Sequence, residues 1–193
     1  MWWLLVIPSY FLGTFPSAVM VARTKGIDIT KVGSGNPGAS NVSRVMGRKW
    51  GITVFVLDAL KGVIPAAVGM VAANDKVAYA MVGASILGHM YPITRGFKGG
   101  KGVATMAGAM FVLQPVISSI LLVVWFVTLK LSKKSSVASL SLIVGLPLLA
   151  VLFHLPTWEL LAIIAINAMV LVRHLGNIKR LLKGTELSTS RTE

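Results

Sequence analysis

Seven stretches of this chain, 2–22, 51–73, 77–91, 103–113, 115–131, 137–153 and 157–172, are almost unbroken apolar sequence. Several approach the roughly 20 residues an α-helix needs to cross a bilayer, and none alternates as a barrel strand would. In lipid every backbone N–H and C=O must find an internal partner, which leaves helices as the structure for such runs. Charged residues are 13% of the 193, against about 25% in a soluble domain, and the mean hydropathy is +0.78. These features predict an all-α polytopic membrane protein, one domain over 1–193, with no internal repeat or linker and a polar tail near 184–193. The first run follows no basic segment, lacks a small-residue cleavage site and is interrupted by Pro16. It reads as a transmembrane helix, not a removed signal.

A net charge of +13 would suit nucleic acid as a partner, but its distribution points to the membrane instead. If each run crosses once with the N-terminus outside, 17 of the 19 Lys and Arg residues face inward. They cluster at Arg23–Lys49, Arg95–Lys101, Lys130–Lys134 and Arg173–Arg191; Lys76 alone lies outside and Lys61 lies within a helix. That is the positive-inside pattern. It also resolves 103–131, which as one helix would be about 43 Å long, well beyond a hydrocarbon core of about 30 Å. Breaking it at Gln114-Pro115 gives two crossings, the first only about 17 Å long. A single crossing would place Lys130, Lys133 and Lys134 outside, with the basic tail. The expectation is therefore seven transmembrane helices, N-terminus outside and C-terminus cytoplasmic, with a short interfacial helix after the first crossing.

The unusual chemistry then falls on the cytoplasmic face, in three polar islands. The first, "KVGSGNPGASNVSR" (31–44), holds Gly33, Gly35 and Gly38 at the spacing G-x-G-x-x-G, and Asp58 follows twenty residues later. A dinucleotide site needs a strand before the glycines, and none is present; Asp58 sits in an apolar run three residues before Lys61. What survives is a flexible turn whose N–H groups can face an anion. Asn36 suits an N-cap, Pro37 the first helical position and Gly47 a stop, which predicts a helix over 37–46. Ser40 and Asn41 would share faces with Arg44 on it.

The second island, "GHMYPITRGFKGGKGVAT" (88–105), resembles a phosphate loop but lacks the glycine and hydroxyl residue a Walker A motif requires, since Arg95 and Gly102 occupy those positions. Lys98, Gly99, Gly100, Lys101 and Gly102 nonetheless precede a helix, a geometry that favours phosphate. His89 can serve as a base or as a structural hydrogen-bonding group at a helix end. The third island, "RHLGNIKRLLKGTE" (173–186), places His174 and Asn177 three residues apart on one helical face, with Arg173 and Arg180 on another. Read alone it is also a basic juxtamembrane helix on anionic lipid. Asp58 and Lys61 should face the bundle interior, because ionised groups are costly toward lipid.

Together the islands resemble the three signature motifs of the PlsY family, the integral-membrane acyl-phosphate:glycerol-3-phosphate acyltransferases of bacteria. The matching stretches are "GSGNPGASNVSR", "GHMYPITRGFKGGKGVAT" and "RHLGNIKRLLKGTE", some 44 residues in the family's order. Ser40 stands where the family usually has Thr and keeps the hydroxyl. The resemblance implies transfer of a fatty acyl group from acyl phosphate to the 1-hydroxyl of sn-glycerol 3-phosphate at the bacterial inner membrane. It implies catalytic roles for Ser34, Arg44, His174 and Asn177, and binding of glycerol 3-phosphate by the glycine loop 99–102 with Lys101; Lys98 and the first-motif residues Gly35, Asn36, Ser40 and Asn41 are further candidates for binding substrate phosphate. Glu186, closing the third motif, would be structural. Asp58, Lys61 and His89 would support the site.

No cofactor or metal is expected, since acyl phosphate is a mixed anhydride with a good leaving group and the chain has no cysteine. The expected partners are the two substrates and membrane lipid, with no nucleic acid. No docking of an acyl-carrier protein is expected either. The H-x-x-x-x-D motif of other glycerolipid acyltransferases is absent, because Thr94, Glu159 and Lys179 stand five residues after the three histidines. The general base is open between His174, Ser34 as a relay, and a phosphate oxygen of the donor. The competing reading, a transporter for a phosphorylated solute, would call for polar residues spread through the membrane and for paired repeats.

Overall fold

The computed structural model describes residues Met1–Thr189; Arg191, counted above with the inward charges, lies outside them. Among the described residues there are ten α-helices, two short 3-10 turns and no strand. The helices are α1 (Val6–Gly13), α2 (Ser17–Arg23), α3 (Ala39–Met46), α4 (Arg48–Ala72), α5 (Asp75–Met90), α6 (Val103–Leu113), α7 (Pro115–Ser132), α8 (Ser135–Leu152), α9 (Thr157–Val172) and α10 (Leu175–Leu182). Every apolar run of the sequence maps onto helix. Pro16 divides the first run into α1 and α2, because it has no N–H to donate and its ring crowds the preceding turn. Gln114 separates α6 from α7, with Pro115 at the first helical position, where a missing N–H costs nothing.

Four segments are long and apolar enough to cross a bilayer: Trp2–Arg23, Arg48–Ala72, Pro115–Ser132 and Ser135–Leu152. A fifth is reached if α9 and α10, bent by 57°, count as one. The expectation of seven crossings goes further than this. It needs α5 and α6, whose 16 and 11 residues give about 24 Å and 17 Å of helix.

The chain forms two compact units, Met1–Leu113 and Gln114–Ser188. In the first, α4 lies along α6 and α5, α1 lies along α5, and α3 packs on α4. Lipid gives helices no hydrophobic reason to associate, so close approach through small residues and hydrogen bonds must supply the attraction. A Cβ at Gly62 would overlap the Thr105 carbonyl and one at Gly108 the Ala59 carbonyl, so these two glycines set the α4–α6 distance. Ala18, Val21, Ala22, Ile29, Val42 and Val54, backed by Trp50 and Leu57, form a small apolar core that holds α2 and α3 against α4.

In the second unit α8 packs between α7 and α9. The side-chain amide of Gln114 donates to the Glu159 carboxylate at 2.6 Å, tying the starts of α7 and α9. Ser188 Oγ donates to the Lys133 carbonyl at 3.2 Å.

Candidate active site

The first motif is a loop organised by one buried amide. Asn41 Oδ1 accepts from the Ser34 N–H at 2.8 Å and from the Arg44 guanidinium at 3.3 Å. Its Nδ2 donates to the Ile29 and Val32 carbonyls at 3.2 and 3.0 Å. Gly33 turns the loop at φ +59°, and a Cβ there would overlap Asn41 Oδ1. Arg44 is buried beside Asn41, while Ser34 and Ser40 are exposed and Gly35 and Asn36 are half-buried.

Helix α3 begins at Ala39 with Gly38 as its N-cap, two residues later than the 37–46 expected from Asn36 and Pro37. The Gly38 N–H donates to the Asn36 carbonyl at 3.0 Å, a γ-turn centred on Pro37 that uses up the residues expected to cap the helix. The stop at Gly47 is as expected, at φ +96°.

The second motif folds back on the end of α5. The Gly99 N–H donates to the Met90 carbonyl at 3.2 Å and the Gly100 N–H to the His89 carbonyl at 3.0 Å. A Cβ on Gly99 would overlap the His89 carbonyl, and one on Gly100 would overlap His89 Nε2. These glycines are small because the loop presses on α5, and both N–H groups already serve that contact. The return presents Lys98 in the open and Lys101 half-buried, and Gly102 turns into α6 at φ +84°. The Tyr10 hydroxyl pins the loop from α1, donating to the Tyr91 carbonyl at 2.8 Å and accepting from the Ile93 N–H at 3.1 Å. A single tyrosine in an apolar run gave no sequence signal of that task.

Behind this loop, Asp58, Lys61 and His89 form a buried polar cluster. Lys61 Nζ lies 2.6 Å from Asp58 Oδ1, 2.6 Å from the Phe15 carbonyl and 3.5 Å from His89 Nδ1. A narrow cleft joins the cluster to Phe15, Pro37, Arg95 and Gly100. The structure therefore brings parts of the first and second motifs to the intramembrane pair, although Ser34, Arg44 and Lys101 do not line the cleft. Burial lowers the pKa of Arg95, and nearby Arg23 adds to that, while Asp28 opposes both.

The third motif belongs to the second unit. His174 lies at the bend between α9 and α10 and caps α10; it is not within one continuous helix with Asn177, as the sequence suggested. Its Nδ1 lies 2.8 Å from the Val170 carbonyl. A carbonyl can only accept, so Nδ1 carries the proton and Nε2 is the basic nitrogen. Asn177 Nδ2 donates to Glu186 Oε1 at 2.6 Å, and Arg180 Nε donates to Glu186 Oε2 at 2.8 Å. Burial alone would raise the Glu186 pKa; the Ser136 hydroxyl, the Asn177 amide and the Arg180 guanidinium outweigh it and hold the carboxyl below its usual range. Arg180 thus joins Asn177 through Glu186, although the sequence put the two on different faces.

Residues 3–184 match the family described as glycerol-3-phosphate acyltransferase. A relative of that name from Aquifex aeolicus is 41% identical over 184 residues, covering 94% of this chain and 96% of its own. Another from Hydrogenovibrio crunogenus is 42% identical over 181 residues, covering 92% and 87%. Two crystal structures of PlsY (YgiH), an integral membrane glycerol 3-phosphate acyltransferase, superpose with TM-scores of 0.92 and 0.90 at 40% identity. They cover 96% of this chain and 94% and 93% of theirs, and are described as the glycerol 3-phosphate form and the lysophosphatidic acid form. With the family's match spanning nearly every described residue, the chain belongs to the glycerol-3-phosphate acyltransferase family.

Proposed function

We propose that this protein transfers a fatty acyl group from acyl phosphate to the 1-hydroxyl of sn-glycerol 3-phosphate, releasing 1-acyl-sn-glycerol 3-phosphate and inorganic phosphate. The observation that carries this reading is a pair of solved relatives, 40% identical across 96% of the chain, described with glycerol 3-phosphate and with lysophosphatidic acid. One is an acceptor and the other its acylated product. In the transfer the acyl carbon–oxygen bond to phosphate breaks, an ester bond to the acceptor oxygen forms, and the hydroxyl proton leaves to a base. The donor's phosphate is already a good leaving group. The protein's work is therefore to hold two dianions together and to stabilise charge developing on the acyl oxygen.

Lys101 meets the phosphate of glycerol 3-phosphate, with Lys98 at the mouth and Gly99, Gly100 and Gly102 shaping the loop. Arg44 holds the donor phosphate, aided by the first-motif residues Gly35, Asn36, Ser40 and Asn41. Asn177 orients the hydroxyl or the acyl oxygen. The basic Nε2 of His174, a donor phosphate oxygen, or Ser34 as a relay takes the proton. The whole chain, 1–193, acts as one domain in the bacterial inner membrane. It has seven crossings, the N-terminus outside and its chemistry on the cytoplasmic face.

Purified protein in detergent, given palmitoyl phosphate and labelled glycerol 3-phosphate, should form labelled lysophosphatidate. Lys101→Ala should mainly raise KM for glycerol 3-phosphate. His174→Ala and Asn177→Ala should lower kcat by about 10²–10³ with KM little changed. Comparable turnover with palmitoyl-CoA, free of acyl phosphate, would overturn the choice of donor.

A further inference from the structure

Two ionised groups side by side in a membrane-spanning helix need a reason, because burial costs each several kcal/mol unless it is well paired. Asp58 and Lys61 are 2% and 3% exposed, and His89 is 8% exposed. Around the Lys61 ammonium lie two oxygen acceptors and a ring nitrogen. The Phe15 carbonyl lies next to the helix break at Pro16, Asp58 Oδ1 comes from the same helix, and His89 Nδ1 comes from α5. His89 Nδ1 lies 3.5 Å from Lys61 Nζ and 3.6 Å from Asp58 Oδ1, so the ring rests against both members of the pair. The opposite edge of the ring, Nε2, is the atom that a Cβ on Gly100 would meet. Ser85 Oγ fastens α5 to the same turn of α4, donating to the Lys61 carbonyl at 2.7 Å.

The cluster is thus continuous, from the α1–α2 break through Lys61 to the His89 ring and on to the glycine loop. We propose that Asp58, Lys61 and His89 form a positioning device for the second motif: Lys61 fixes the His89 ring, and the ring and carbonyl of His89 fix Gly99 and Gly100, so that Lys101 stands in register with the acceptor phosphate. This rests on the reading that Lys101 meets the phosphate of glycerol 3-phosphate. The three residues touch no substrate themselves. A cluster that only stabilised the bundle would treat donor and acceptor alike, whereas a loop-positioning cluster acts on the acceptor.

The test is steady-state kinetics of the full chain in detergent, varying glycerol 3-phosphate and palmitoyl phosphate in turn. Lys61→Met and His89→Ala should raise KM for glycerol 3-phosphate about tenfold or more and leave KM for palmitoyl phosphate within about twofold. Gly100→Ala drives a methyl group into the His89 ring without altering charge and should do the same. In Gly100→Ala/His89→Ala the ring is gone, so the double variant should be no worse than His89→Ala alone. Additive losses, or equal effects on both KM values, or a fall in kcat alone, would overturn the proposal. If the Lys61 or His89 variants do not fold, Gly100→Ala decides by the same criterion. Lys101→Ala separates the two levels: if it leaves KM for glycerol 3-phosphate unchanged, the phosphate reading fails. If it raises KM while the cluster variants do not, only the positioning device fails.

Discussion

Replacing Glu186 should disable the third motif without touching a substrate group. Its side chain is 5% exposed and both oxygens are occupied, one by Asn177 and one by Arg180. The Asn177 bond is partly buried and charge-assisted, and hydrogen bonds to charged groups contribute about 1.5–3 kcal/mol. The Arg180 side chain is 41% exposed, so water screens that pair and it contributes about 0.2–1 kcal/mol. Glu186→Ala therefore removes about 2–4 kcal/mol of local ordering from the segment after the bend. If half of that had held Asn177 in its reactive orientation, kcat falls by about fivefold to thirtyfold. KM for glycerol 3-phosphate should barely change.

Initial rates with palmitoyl phosphate and glycerol 3-phosphate measure this directly, with Asn177→Ala and the double variant completing a cycle. Because Glu186 acts through Asn177, the double variant should be no slower than Asn177→Ala. The carboxyl also sets a pH signature. Its folded pKa lies below the ordinary value, so its contribution is complete above that ordinary value and is lost as pH falls through the lowered one. Glu186→Gln should abolish this acid limb, since a neutral amide no longer titrates. Full kcat in Glu186→Ala, or multiplicative losses in the double variant, would refute the reasoning.

Asn41→Ala deletes four hydrogen bonds and leaves the Ser34 N–H and two carbonyls without their partner. It should cost on the order of 2–4 kcal/mol in thermal unfolding and most of the activity, with Asn41→Asp intermediate because only the acceptor survives. Gly62→Ala should destabilise by about 1–3 kcal/mol through its clash with the Thr105 carbonyl, whereas Gly83→Ala, whose Cβ meets nothing, should melt with the parent protein. For the topology, cysteines at Lys49, Thr94, Lys133 and Thr189 should resist an impermeant thiol reagent in intact cells, and one at Asp75 should react. Labelling at Lys133 and Thr189 with Thr94 protected would mean that α6 does not cross.

The helices were legible because lipid allows apolar runs few alternatives. The breaks at Pro16 and Gln114-Pro115 follow from proline geometry that any sequence displays. The motifs were legible as residue types, but their internal connections were not. The γ-turn at Pro37 depends on a bond between Asn36 and Gly38 that competes with capping, and both readings suit the same residues. The Gly99 and Gly100 N–H groups looked ready for phosphate because nothing in the sequence says that the loop doubles back onto α5. Asp58 and Lys61 show their pairing by spacing alone, while the Phe15 carbonyl and His89, 46 and 28 residues from Lys61, do not.

The first and third motifs share a physical plan that explains why each is a contiguous stretch. In the first, Asn41 reaches back seven residues to the backbone of Ser34 and forward three to Arg44. In the third, Glu186 reaches back nine residues to Asn177 and six to Arg180. Each closes a ring of hydrogen bonds within its own motif, so the candidate reactive groups are fixed locally before any longer-range packing is considered. Ser34 and Asn177 gain order from a neighbour that is itself buried, and loop closure over so few residues costs little entropy. The second motif is different: its loop carries glycines where a ring-closing side chain would sit, and its order comes from α5 and from Tyr10 of α1. That difference makes the second motif the one whose geometry depends on distant residues, and hence the one for which a buried cluster inside the membrane has a task.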